Sequence, residues 1–185
     1  MKFGLLLPHF GDHADRDMLL DGARRAEELG FDSVWVRDHL LFEPHGEFEN
    51  PNRDFYEPLT VLTAIGAVTE RLTLGTATLI PYRHPIVTAF TLASMTHMVG
   101  PRIIQGWGAG TFDHEFEAVG MGGIFRPELV ESNARIQEVV FGGDGVSYSD
   151  DHFRFDDVSL YPKPVGPIPF WYGGATPASA RRAAE

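Results

Sequence analysis

The chain has 185 residues, no cysteine and a formal net charge of −11, and 43% of its residues are hydrophobic. This length is enough for one domain with a substantial core. The lack of cysteine excludes disulfide scaffolds, iron–sulfur clusters, Cys-ligated zinc and thiol nucleophiles. The acidic balance argues against nucleic acid and membrane surfaces as partners. No apolar run approaches the ~20 residues that span a bilayer, and the N-terminus lacks a signal-peptide pattern, so we expect a cytoplasmic protein.

Apolar segments of strand length alternate along the chain with segments of helical periodicity. Strands are predicted at residues 2–8, 31–36, 72–80, 103–107 and 168–172. Helices are predicted at 15–30, with Asp15 as N-cap and Gly30 as stop, from Pro58, from Pro85, at 129–141 and at 176–185. A predicted β-hairpin at 146–155 interrupts this alternation just before the last strand.

Strands that alternate with helices favour a parallel sheet with crossover connections. Two architectures fit this pattern. A doubly wound open sheet is complete with about five strands. A (β/α)₈ barrel needs about 250 residues, so 185 residues would supply only about five of its eight units. In both architectures ligands bind at the carboxyl ends of the strands.

The residues that follow the predicted strands are rich in glycine, aromatic rings and hydroxyl groups. They are residues 8–11, 37–39, 76–78, 107–110 and 173–176. This composition favours a flat ring with a phosphate tail over a metal ion. Each segment also has a plain structural explanation: a tight turn for the glycines of 106–110, a helix cap for Thr176, and a His39 ring satisfied by nearby backbone. A histidine at a strand end can also exchange a proton near neutral pH.

The histidines and serines do not form a recognisable catalytic motif. None of the eight histidines has HxH or HExxH spacing, and His114–Glu115 lacks the second histidine of the zinc motif. The chain also lacks the GxSxG elbow of serine hydrolases. We therefore predict no metal site and no serine nucleophile.

Several segments together carry a resemblance to a known family. They read MKFGLLLPHFG, RRAEELGFDSVWVRDHL, TERLTLGTATLIP followed by RHP, GWGAGTFDHEFEAVG, and VSYSDDHFRFDDVSLYPKP followed by IPFWYGGATPASARRAAE. In this order they resemble the bacterial luciferase-like monooxygenases, which use a flavin or the deazaflavin coenzyme F420. The resemblance implies an α/β fold, a luciferase-like TIM (β/α)₈ barrel represented by about its first five βα units, with a β-hairpin inserted before strand 5.

The same resemblance makes residues 1–185 a single luciferase-like domain. We expect this domain to be truncated at its C-terminus or closed by a partner, because its first and fifth strands would otherwise be open edges.

The resemblance also implies roles for individual residues. His39 is expected to be the proton donor at the reactive face of the ring, and Asp38 precedes it as in the deazaflavin dehydrogenases, so both are predicted to be catalytic. Ala77 and Thr78 fall where the family often has a non-proline cis peptide behind the ring. Further cofactor contacts are expected from an aromatic wall and from the seat of the ring and phosphate: Phe10, Trp107, Gly108, Gly110, Gly173, Gly174, Thr176 and Ser179.

The implied cofactor is FMN or coenzyme F420, without a metal. The choice stays open, because Glu43 and Thr111 stand where F420-dependent sugar-phosphate dehydrogenases carry tryptophan and glutamate. Ala109 likewise stands where luciferases carry an arginine that binds flavin phosphate. The implied activity is oxidoreduction or monooxygenation of a small organic substrate, with NAD(P)H or a flavin reductase as the source of reducing equivalents.

We further expect a homo-oligomer. The alternatives are a non-catalytic flavin-binding or partner-dependent half-barrel and, less favoured, a flavodoxin-like domain, since residues 8–11 hold a single glycine.

Overall fold

The computed structural model describes residues 1–43 and 51–184, so the predicted last helix ends at a residue, Glu185, outside the described part. The strands are β1 Gly4–Leu6, β2 Ser33–Val36, β3 Thr73–Thr76, β4 Ile103–Trp107, β5 Val146–Ser149, β6 Arg154–Val158 and β7 Phe170–Tyr172. The helices are α1 Arg16–Glu28, α2 Pro58–Gly66, α3 Pro85–Val99, α4 Asp113–Ala118, α5 Arg126–Gly142 and α6 Pro177–Arg182. The alternation of strands and helices is as predicted, and α4 is an additional short helix.

Five of the strands form one sheet in the order β1-β2-β3-β4-β7, and every neighbouring pair is parallel. Val34 of β2, for example, lies opposite Leu5 of β1 and Leu74 of β3. The order of the strands in the sheet follows their order in the chain. A doubly wound sheet reverses at a switch point, whereas a (β/α) barrel keeps the chain order. The structure therefore decides between the two predicted architectures in favour of the barrel type.

Local sequence signals set the ends of the helices. Asp15 Oδ1 accepts a hydrogen bond from the Met18 N–H at 2.8 Å, which is the N-cap predicted for α1. Gly30 follows α1 with φ +84°, a conformation that glycine adopts readily. Pro58 and Pro85 begin α2 and α3, where the N–H that proline lacks would have no intrahelical partner. These signals fix where the chain leaves each helix for the next strand.

The main hydrophobic core lies between the sheet and the helices α1 to α3. Val34 of β2, Leu74 of β3, Leu62 of α2 and Leu92 of α3 are all wholly buried. The strands β2 and β3 are apolar without strict alternation because both of their faces are buried. Helices cover the outer face, and neighbouring strands and loops cover the inner face. The core thus holds the strand ends, and the segments that follow them, in a fixed arrangement.

The predicted hairpin forms from β5 and β6 and extends to Val158. Its turn is held by the Asp150 carboxylate, which accepts hydrogen bonds from the N–H groups of His152 and Phe153 at 2.8 and 2.6 Å and from Ser132 of α5 at 2.6 Å. Burial raises the pKa of Asp150, but these hydrogen bonds outweigh it and lower the pKa to about 2. The carboxylate therefore ties the hairpin to α5.

The amino end of the sheet is closed by side chains that bond to backbone. The Arg102 guanidinium donates to the carbonyl oxygens of Gly66, Thr69, Leu72 and Val99. The Glu27 carboxylate accepts from the N–H groups of Glu70, Arg71 and Leu72. Polar side chains at this end thus serve the fold. Within the described residues, no helix is both long and apolar enough to cross a membrane.

Candidate active site

The carboxyl ends of the strands border a cavity of about 480 Å³. The segments after β2, β3, β4 and β7 all contribute to it. Most of the predicted site residues line this cavity: Asp38, His39, Ala77, Thr78, Gly108, Gly110, Gly173, Gly174, Thr176 and Ser179. The parallel topology therefore brings together residues that are far apart in the chain.

Trp107 does not lie in the cavity, which corrects its predicted place in an aromatic wall. It shares a face of β4 with Gln105, and its indole N–H donates to Gln105 Oε1 at 2.9 Å. Gln105 in turn donates to Gln137 of α5 at 2.8 Å, so this face of β4 is turned toward the helices. The Trp107 ring, only 1% exposed, stacks on Phe170. Its role is in the core.

Phe10 also lies outside the cavity lining, so the predicted wall is corrected here too. Its ring stacks on Phe55 at 5.8 Å and contacts Phe42, and the Arg37 guanidinium lies over it at 4.7 Å. Phe42 and Phe55 also contact the His39 ring, at 5.3 and 5.4 Å. Phe10 therefore packs against the aromatic rings that contact His39.

Asp38 lines the cavity and is held there as an anchor, and its predicted catalytic role stays a prediction. Its wholly buried carboxylate accepts two hydrogen bonds from Arg83, at 2.6 and 2.9 Å, one from the Ile80 N–H at 2.9 Å and one from the Tyr82 hydroxyl. Burial raises the pKa of Tyr82, and the charge of Asp38 adds to this, so the hydroxyl stays a donor. These four hydrogen bonds occupy both oxygens of the Asp38 carboxylate. The carboxylate holds the end of β2 against the segment after β3.

His39 faces a second buried carboxylate, that of Glu115 on α4. Its Nδ1 lies 3.3 Å from each Glu115 oxygen, and Glu115 Oε1 also accepts from the N–H groups of Leu40 and Leu41 at 2.7 and 3.1 Å. Burial raises the pKa of Glu115, but the hydrogen bonds from His39 and from these N–H groups outweigh it and hold the pKa below its usual range. Glu115 is therefore an anion, and sequence reasoning had not identified it as a site residue.

Glycines let the turns after β4 and β7 close around the bulge that follows β3. The Ala77–Thr78 peptide bond in this bulge is cis, as the resemblance implies. A Cβ on Gly108 would lie 2.3 Å from Thr78 Oγ1, and one on Gly173 would lie 2.8 Å from Thr78 Cγ2. Side chains at these glycines would displace Thr78 from the cavity wall. The result is a smooth wall of backbone and small side chains.

The wall after β7 ends in a capped helix. Thr176 Oγ1 accepts from the Ser179 N–H at 3.1 Å, and Ser179 Oγ accepts from the Thr176 N–H at 3.0 Å, so the two residues form a reciprocal capping box for α6. Thr176 therefore caps α6, as its plain structural explanation predicts. Both residues line the cavity beside Arg182, which pairs with Glu131 at 2.9 Å. Their predicted contact with a cofactor phosphate remains a prediction.

His9 positions the segment that carries His39. Its ring is wholly buried, its Nε2 accepts a hydrogen bond from the Arg37 N–H at 2.9 Å, and its Nδ1 lies 3.1 Å from the Tyr56 carbonyl oxygen. Because a backbone N–H can only donate, Nε2 carries no proton and Nδ1–H donates to Tyr56. Burial lowers the pKa of His9 from 6.5 to about 4, although the Tyr56 carbonyl opposes the shift.

This environment predicts a pH-dependent stability. Between pH 6.5 and about 4 the unfolded chain binds a proton at His9 that the folded protein excludes. The free energy of unfolding should therefore fall as the pH drops through this range, by about 3 kcal/mol from this residue, and level off below it. Urea unfolding at a series of pH values measures the slope. His9→Gln should flatten it, whereas a matched change at the exposed His13 should not; an unaltered slope in His9→Gln would refute the assignment.

The described residues contain no group of three or more His, Asp or Glu side chains arranged to hold a metal ion.

Comparison with known proteins identifies the family of this chain. Residues 1–185 match the family model described as luciferase-like monooxygenase. The chain belongs to this family. Its luciferase-like, TIM-type fold is thereby confirmed.

The luciferase-like chain is similar to proteins with two kinds of oxidative activity. It is 35% identical over 173 residues to the F420-dependent glucose-6-phosphate dehydrogenase of Nakamurella multipartita. This alignment covers 89% of this chain and 48% of that protein. Monooxygenase RslO1 from Streptomyces bottropensis superposes with a TM-score of 0.83 at 28% identity, over 100% of this chain and 57% of that one.

A further solved structure carries the deazaflavin coenzyme. It is an F420-dependent secondary alcohol dehydrogenase in complex with an F420–acetone adduct, with a TM-score of 0.83 at 25% identity, over 98% of this chain and 55% of that one. The luciferase-like chain thus spans about half the length of the relatives it matches, such as 48% of the Nakamurella protein.

Proposed function

We propose that the protein is an F420-dependent dehydrogenase that oxidises a carbon carrying both a hydrogen and a hydroxyl group. The His39–Glu115 pair beside the glycine-lined cavity is the observation that carries this proposal. A histidine whose Nδ1 is bonded to a carboxylate presents Nε2 as a general base. The named activities of the Nakamurella protein and of the secondary alcohol dehydrogenase support the same chemistry.

In the proposed reaction, Nε2 of His39 accepts the hydroxyl proton of the substrate. The hydrogen on the same carbon leaves as a hydride, which coenzyme F420 accepts when bound, and the substrate becomes a carbonyl compound. Phe42 and Phe55 pack against the imidazole and limit the access of water to it. Glu115 keeps its negative charge and stabilises the imidazolium that forms.

The residues present fit a flat ring. The cis bulge at Ala77–Thr78 and the turns at Gly108 and Gly173 give a wall without projecting side chains, and added Cβ atoms at these glycines would collide with Thr78. Coenzyme F420 is favoured over FMN because the relative at 35% identity is named as F420-dependent. RslO1 favours a monooxygenase as the second candidate, since it is a monooxygenase of the same fold. The cofactor of that candidate would be FMN, which the family resemblance also implies.

Titrations of the protein with F420 and with FMN, followed by quenching of each cofactor's own fluorescence, separate these candidates. We expect F420 to bind with micromolar or lower Kd, and FMN to bind at least about tenfold more weakly, a difference of about 1.4 kcal/mol. Tighter binding of FMN would favour the monooxygenase. Micromolar binding of neither cofactor would overturn both assignments.

Gly108→Ala is predicted to weaken cofactor binding by at least about tenfold. The new Cβ would lie 2.3 Å from Thr78 Oγ1, so Thr78 must shift and change the wall proposed to seat the ring. The same fluorescence titration measures the effect. Gly142→Ala is the matched control, because a Cβ there meets nothing within 4 Å. Equal cofactor affinity of the two variants would contradict the proposed seat.

A further inference from the structure

Glu115 is buried, and no Lys or Arg among the described residues forms an ion pair with its carboxylate. Its side chain has 0% exposure, and its hydrogen bonds come from His39 and from the N–H groups of Leu40 and Leu41. Burying a charge is costly unless it is paired or hydrogen-bonded. The imidazole of His39 is the only ionisable side chain among these donors. The state of the His39 ring and the charge of Glu115 are therefore linked.

The other ionisable groups that the structure describes around this pair are bonded elsewhere. Asp38 is bonded to Arg83, and Tyr82, which packs against Phe116 of α4, donates to Asp38. His114, next to Glu115 on α4, has its Nε2 3.0 Å from the Leu41 carbonyl oxygen. Within residues 1–43 and 51–184, only His39 therefore brings an ionisable side chain within hydrogen-bonding distance of the Glu115 carboxylate.

From this geometry we infer that Glu115 is a positioning residue that fixes the neutral imidazole of His39 as the Nδ1–H tautomer. The inference rests on the proposed function in that it assigns Nε2 the substrate proton. A carboxylate can only accept at Nδ1, so Nδ1 must carry the hydrogen and Nε2 must present its lone pair. After proton transfer, the same carboxylate stabilises the doubly protonated ring. Carboxylate–histidine pairs elsewhere in enzymes orient the ring in this way.

The substitution Glu115→Gln tests this role with little change of shape. Its amide oxygen can still accept from Leu40 and Leu41, but its NH₂ group would face Nδ1 and favour the opposite tautomer, with the hydrogen on Nε2. We expect kcat for alcohol oxidation to fall at least about 100-fold while the Kd for F420 stays unchanged. Glu117→Gln, at an exposed site on the same helix, is the control.

A spectroscopic readout separates this inference from the proposed activity. NMR of the protein with ¹⁵N-labelled histidine reports which nitrogen of His39 is protonated, without any substrate, cofactor or variant. We expect the Nδ1–H tautomer in the wild type and Nε2–H in Glu115→Gln. A neutral Nε2–H ring in the wild type would overturn the inference even if the enzyme is active, whereas an inactive wild type with the Nδ1–H tautomer would count against the proposed function alone. A loss of kcat in Glu115→Gln with the His39 ring still in the Nδ1–H form would reduce Glu115 to a structural role.

Discussion

Replacing His39 with alanine is expected to lower kcat for alcohol oxidation by a factor of about 10² to 10⁴, the usual contribution of a general base. The affinity for F420 should change little, because the cavity wall is built from the turns at Gly108 and Gly173 and from the bulge at Thr78. Steady-state reduction of F420 gives kcat, and fluorescence titration gives the Kd. A loss confined to kcat is what a proton-transfer role requires.

The control for this variant is His13→Ala, which removes an exposed imidazole from the 3₁₀ turn after β1. It should leave both constants at the wild-type values. Added imidazole should restore part of the activity of His39→Ala, because a free base can enter the space that the side chain leaves. Unchanged turnover in His39→Ala would remove His39 from the mechanism.

Replacing Arg83 with methionine is expected to destabilise the protein by about 3–5 kcal/mol. Asp38 would keep its charge in a wholly buried position but lose the two guanidinium hydrogen bonds at 2.6 and 2.9 Å. The hydrogen bonds from Tyr82 and from the Ile80 N–H cannot compensate for a full negative charge. The midpoint and slope of urea unfolding measure this loss.

Two further variants show whether the loss of stability comes from the unpaired negative charge of Asp38. Asp38→Asn combined with Arg83→Met should be less destabilised than Arg83→Met alone, because the pair is then neutral. Arg16→Met removes an ion pair whose side chains are 78% and 77% exposed, and should cost no more than about 1 kcal/mol. Equal losses in Arg83→Met and Arg16→Met would show that Asp38 does not depend on Arg83.

The fold was predictable because its determinants are local in the sequence. Apolar strands, the cap at Asp15, the stop at Gly30 and the prolines at 58 and 85 mark the elements within a few residues. Only the choice between barrel and doubly wound sheet required the strand order, which depends on how distant segments pair. The prediction of a third strand over 72–80 was too long, since β3 ends at Thr76 and residues 77–78 form the bulge.

The cavity was predictable from position alone, but the direction of each side chain was not. Every strand end in a parallel sheet lies at the same edge, so the residues after β2, β3, β4 and β7 had to meet. Whether Trp107 faces the cavity or the helices depends on the register of β4. The partners Gln105 and Gln137 that reveal its orientation lie on different elements.

Glu115 was missed for a related reason. It lies on a short helix whose charged residues look like an exposed surface, in the segment DHEFEA. Its partner His39 is 76 residues away in the chain. The available signal was the Phe116 that follows it, since an apolar residue beside a carboxylate on a six-residue helix indicates that one side of the helix is buried. Asp38 is the opposite case, since the sequence did identify it. Its position at the end of a strand indicates a functional residue, and the hydrogen bonds that it accepts show that it also anchors the end of β2.

We propose that this site oxidises an alcohol carbon with coenzyme F420 and that His39 is the base. The most direct measurement is an anaerobic single turnover, in which the protein and oxidised F420 are mixed with a secondary alcohol or with glucose 6-phosphate. We expect one F420 molecule to lose its fluorescence for each carbonyl product formed, and the rate to fall by a factor of about 10² to 10⁴ in His39→Ala. Failure of F420 to be reduced by either substrate, together with consumption of dioxygen by the protein in the presence of reduced FMN, would contradict this proposal.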